Sequence, residues 1–143
     1  MDASKVSDTT NILQFNSTRR KYHDDKLDSL LIDIKLALQH LLETGEETII
    51  DFSNFPCGEE CEQALKSILG KGEVTASLNI FGCDSIIETG IHGVWWVYHL
   101  NDQGAILTKA LYISYVPSLL PAQRDDIEYG LNLLSRRQAN NFN

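Results

Sequence analysis

Cys57 and Cys61, four residues apart in the run Cys57-Gly58-Glu59-Glu60-Cys61, are the residues best suited to do chemistry, with Cys83, His92 and His99 further along the chain. Thiolates and imidazoles bind zinc or nickel when four of them converge. A metal knuckle sets its ligands in close pairs, whereas Cys83 and the histidines stand singly. Cys57, Cys61 and Cys83 are therefore only the alternative to an expectation of no metal and no cofactor. Cys61 also falls on the apolar face of a predicted helix, where a cysteine serves as a small hydrophobe. Cys57, just ahead of that helix, could be activated by the helix N-terminus. No G-x-S-x-G elbow accompanies it, and Gly70-Lys71-Gly72 lacks the frame of a phosphate-binding loop. The expectation is a protein that is not an enzyme.

The segment Glu88-Thr89-Gly90-Ile91-His92-Gly93-Val94-Trp95-Trp96 carries more information. Adjacent tryptophans on a strand project to opposite faces of the sheet, so one enters the core and the other is free to serve as a binding anchor. A tight turn at Ile91-His92 would set Glu88 opposite Trp95 and Asp84 opposite His99. Glu88, Thr89, His92, Trp95 and His99 are the candidate partner-binding residues, with Trp95 expected outside and Trp96 inside. If helices cover both faces, the same residues are ordinary packing.

These residues must be positioned by the elements around them. Leu27, Leu30, Leu31, Ile34, Leu38, Leu41 and Leu42 recur at helical spacing, with Asp24 or Asp25 as cap and Gly45 as stop. A short β-branched run at 48–52 reads as a strand, and a second helix from Gly58 to Gly70 follows, with Glu62 and Lys66 placed to pair. From Glu73 the period changes to two. Strands are expected from 73 to 80, 86 to 91, 94 to 100 and 106 to 116, with turns at 82–85, 90–93 and 101–104. Pro121 can open a last helix bearing Ile127, Leu131 and Leu134 on one face. The fold class is α+β: an antiparallel β-sheet meander with helices packed on one face. Residues 1–21 read as a flexible tail, 22–137 as one domain and 138–143 as a fraying end.

Composition narrows the partners. The chain has 143 residues, with 12 basic against 20 acidic side chains, and its net charge of -8 disfavours nucleic acid. No apolar run is long enough for membrane insertion, and the start lacks the layout of a secretory signal. Three cysteines argue against a disulfide framework and for a reducing, cytoplasmic setting.

Gly72-Glu73-Val74, Ile87-Glu88-Thr89, Gly93-Val94-Trp95, Val97-Tyr98-His99-Leu100, Ile113 and Val116-Pro117, in that order and spacing, resemble the conserved C-terminal region of the HupH/HyaF/HoxQ hydrogenase-expression family. The likeness extends back through Ile50-Asp51-Phe52 and covers about residues 45 to 118. It implies an accessory protein, or chaperone, in maturation of nickel-iron hydrogenase. Such a protein binds a hydrogenase subunit precursor, with the iron–sulfur small subunit as the expected client, before export. The alternative is a metal or iron–sulfur handling protein of the same pathway that uses the three cysteines. The chain is shorter than the members of that family, which carry a further N-terminal region, and Cys57 and Cys61 are not among its signature residues.

Overall fold

The computed structural model describes residues 25–53, 58–79 and 82–141. The first 24 residues, the expected tail among them, and Cys57 lie outside that set. Helix α1 occupies 25–44. Its buried positions Leu30, Ile34, Ala37 and Leu41 keep the three- and four-residue spacing of one helical face. The Gly45 amide donates to the Leu41 carbonyl at 2.8 Å and ends the helix. Helix α2 (Glu59–Leu69) turns Cys61, Leu65 and Leu69 inward and stops where the Gly70 amide donates to Lys66 O. The expected Glu62–Lys66 pair forms at 3.5 Å, and Glu62 also takes Lys109 from the sheet at 3.1 Å.

Among the described residues the strands are β1 (Thr48–Asp51), β2 (Thr75–Leu78), β3 (Cys83–Glu88), β4 (Val94–Leu100) and β5 (Ile106–Ile113), ordered β1-β5-β4-β3-β2 and antiparallel throughout. This is the meander read from the sequence, with β1 added beside β5. Strand β3 spans 83–88 rather than 86–91, because the longer β4 recruits Cys83, Asp84 and Ser85 as partners of Leu100, His99 and Tyr98. No turn forms at 83–85. Helix α3 (Arg124–Asn141) starts three residues after Pro121 and continues past the expected fraying point at 138.

Alternation along the strands splits the apolar residues into two clusters. Val94, Trp96, Leu111 and Ile113 meet α1 and α2 on one face, with Phe52 and Tyr98 packed alongside. Lys66 lies 5.7 Å from both the Trp96 and Tyr98 rings, in cation–π range. Ile86, Trp95, Val97 and Tyr112 form the second cluster on the opposite face, where Leu120 and Leu78 join them. The chain leaving β5 covers that face and is clasped to the start of β1: Ser118 donates its amide and hydroxyl to the Glu47 carboxylate at 2.9 and 2.7 Å. Helix α3 contributes no buried residue to either cluster.

Burial, with Glu47 and Asp84 nearby, raises the Tyr112 hydroxyl above its ordinary value of 10.0. A raised folded-state pKa stabilises the fold fully below pH 10.0, and that contribution is lost as pH rises through the folded value. Denaturant midpoints measured from neutral pH to above pH 10 should fall less steeply on the alkaline side in Tyr112→Phe than in the parent. Equal slopes would remove Tyr112 from the account.

Candidate binding site

Three short sequence runs converge at one end of the sheet. Glu88 stands directly opposite Trp95 and Asp84 opposite His99, so the register expected from the sequence holds. The turn between the strands is longer than two residues and is organised by the Thr89 side chain. Its hydroxyl lies 3.1 Å from Ile91 O and 2.8 Å from Val94 O, and it accepts from the Ile91 amide at 3.2 Å. Thr89 is completely buried, which makes it a strut of the turn rather than a contact residue.

Glu88 is held by its neighbours. One carboxylate oxygen accepts from the Val74 amide at 3.1 Å, and the other faces His92 Nδ1 at 3.2 Å. The Gly72 amide donates to Glu88 O, and the backbone there runs so close that a Cβ on Gly72 would lie 2.6 Å from Thr89 O. Gly93, at φ +94, accepts from the Ser114 amide through its carbonyl, and a Cβ there would press on Leu38 at 3.2 Å. Trp95 donates Nε1–H to Ser114 O at 3.0 Å.

This knot forms one wall of a recess of about 450 Å³ whose other wall is the end of α1. Leu38, Leu41, Leu42, Trp95 and Tyr115 supply apolar surface, with Glu88, His92 and Gly93 at the sheet side. Leu42 and Tyr115 are 75% and 64% exposed, so the rim is open to a partner. The volume and the apolar lining with a few polar groups are those of a site that takes a side chain or small ligand.

Of the five candidate residues, the structure brings Glu88, His92 and Trp95 to the recess. His99 is elsewhere: it pairs with Asp84 at 2.6 Å, four residues along the strands, roughly 13 Å away at strand rise. Trp95 does not stand outside. It is only 8% exposed, because the residues after β5 and the second cluster close over it. Sequence reasoning missed Leu38, Leu42 and Tyr115 as site residues. At about 100° per residue, Leu31, Leu38 and Leu42 lie on a flank of α1, away from the Leu30–Ile34–Leu41 line. A leucine stripe wider than the buried face was the available signal.

Cys61 is buried and disulfide-bonded, and Cys83 is a free, partly exposed thiol on β3. An odd cysteine count excludes complete pairing but leaves room for a single bond. Among the described residues no three His, Cys, Asp or Glu side chains come together to hold a metal ion, and no helix is long and apolar enough to cross a membrane.

Fold and recess together define a small α+β domain with an apolar recess edged by a carboxylate and an imidazole. Residues 27–139 match the family model described as HupH hydrogenase expression protein, C-terminal conserved region, and the chain belongs to that family. It is 38% identical to the solved structure of the hydrogenase expression protein HupH from Thiobacillus denitrificans ATCC 25259, with a TM-score of 0.75, over 80% of this chain and 95% of that one. Among curated relatives it is 31% identical over 78 residues to the hydrogenase expression/formation protein HupH of Rhizobium leguminosarum bv. viciae. It is 27% identical over 79 residues to the hydrogenase expression/formation protein HoxQ of Azotobacter vinelandii. Those matches cover 54% and 55% of this chain but 28% of each relative, so the chain spans little more than a quarter of their length.

Proposed function

We propose that this chain is a non-catalytic binding domain in hydrogenase maturation, one that receives an apolar segment of an immature hydrogenase subunit in the recess beside α1. The client is the iron–sulfur small subunit precursor, bound in the cytoplasm before export. Membership of a hydrogenase-expression family supports the pathway, and the half-open leucine and tyrosine rim supports uptake of an apolar side chain. The observation that carries the reading is Leu42, three-quarters exposed over a concavity that Trp95 and Leu41 already line. Isolated exposed leucines are ordinary, but one at the lip of an apolar recess is a contact waiting for a partner. The net charge of -8 adds attraction for a client segment with basic flanks.

Leu42→Arg tests it. Bait protein carrying this change, expressed in a host that makes hydrogenase, should recover about tenfold less small-subunit precursor than the parent, on the scale of a lost interface anchor. Its melting temperature should be unchanged, because the side chain is exposed. Undiminished recovery would remove the recess from the reading. If the parent recovers no hydrogenase subunit and instead carries about one metal ion per chain, the metal-handling alternative takes its place, with the Cys61 disulfide reduced so that its thiolate can serve as a ligand.

A further inference from the structure

Helix α3 runs for 18 residues without burying one of them. Its sequence includes Gly130, Asn132 and Ser135, poor helix formers, and even favourable sequences of about 12–15 residues are marginal as lone helices in water. Ile127, Leu131 and Leu134, each at least 60% exposed, follow one another at intervals of four and three, the narrow seam of a two-stranded coiled coil. Among the described residues no element covers this seam, and its spacing fits a second helix of the same kind.

We infer that α3 is a self-association helix, and that its occupant is α3 of a second copy, lying antiparallel and centred on Leu131. The charges select that direction. Asp125 and Asp126 stand in the first turn, and Arg136 and Arg137 near the other end. Reversing one helix against the other sets Asp126 beside the partner copy's Arg137 on both sides of the two-fold axis, and it opposes the helix dipoles. A parallel pair would align like ends and form no such contact. Each dimer would present two recesses, so the assembly is independent of what the recess binds.

The test uses the full chain. Light scattering across about 0.01–1 mM, a range that covers weak helix pairing, should show a monomer–dimer equilibrium. Leu131→Glu should raise the dissociation constant about tenfold or more. Asp126→Arg should also weaken it, and adding Arg137→Asp in the same chain should restore it. With Cys83→Ser as background, Leu131→Cys should form a cross-linked dimer on oxidation. Ile127→Cys should not, its partner lying about 12 Å away along the axis. A monomer throughout the range, a dimer indifferent to Leu131→Glu, or cross-linking through Ile127→Cys as readily as through Leu131→Cys would each overturn the assignment.

Discussion

Trp96→Ala should lower the stability of the fold by about 3–5 kcal/mol, the cost of truncating a buried aromatic. Trp96 is 4% exposed at the centre of the cluster that joins α1 and α2 to the sheet, with the Phe52 ring centroid 5.4 Å and the Tyr98 ring centroid 6.0 Å away. Its removal leaves a cavity between two layers and strips Lys66 of a cation–π surface. Trp95→Ala should cost a similar amount, because that ring is buried on the opposite face and its loss leaves Ser114 O without its indole donor. Denaturant unfolding of the two variants gives the comparison. A Trp95 variant as stable as the parent would mean that the ring is peripheral after all, and an anchor in the sense first read from the sequence.

The second large effect comes from a missing side chain. Gly72→Ala should destabilise by about 3 kcal/mol, the upper end for overpacking, because the new methyl meets backbone rather than a flexible chain end. A Cβ there would be 2.6 Å from Thr89 O, 2.8 Å from Glu88 Cγ and 2.9 Å from Glu88 Cβ. Relief requires β3 to shift, and that movement pulls Glu88 from the Val74 amide and from His92. Stability and client capture should therefore fall together, unlike Leu42→Arg, which acts on capture alone. Urea melts showing less than about 1 kcal/mol of change would mean that this stretch yields freely.

The sheet was largely legible because its signals are local. Period-two alternation at 74–78, the double tryptophan and the turn at 101–104 led to β2, β4 and β5, and the Glu88–Trp95 register followed from counting across the turn. What escaped depends on contacts distant in sequence. Asp84 and Ser85 look like turn residues but are held in β3 by pairing with His99 and Tyr98. Trp95 looks like a surface anchor until the residues that follow β5 close over it, an arrangement fixed in part by Glu47 taking Ser118 from 71 positions away. The recess was half visible, through Glu88, His92 and Trp95. Its other wall was hidden in a helix whose leucines all looked alike, although only Leu30, Ile34, Ala37 and Leu41 are buried.

The sheet order β1-β5-β4-β3-β2 puts the two shortest strands, four residues each, at the margins. Unpaired strand margins are where an extended peptide can add itself to a sheet, and brevity is one way proteins discourage it. Little backbone is left on either side to template a sixth strand. Capture by β-augmentation is thus poorly served, and under the proposed function a client would gain most by inserting side chains between α1 and the β3–β4 turn. Specificity would then be set by the shape and polarity of a few residues in the client rather than by its capacity to lie extended.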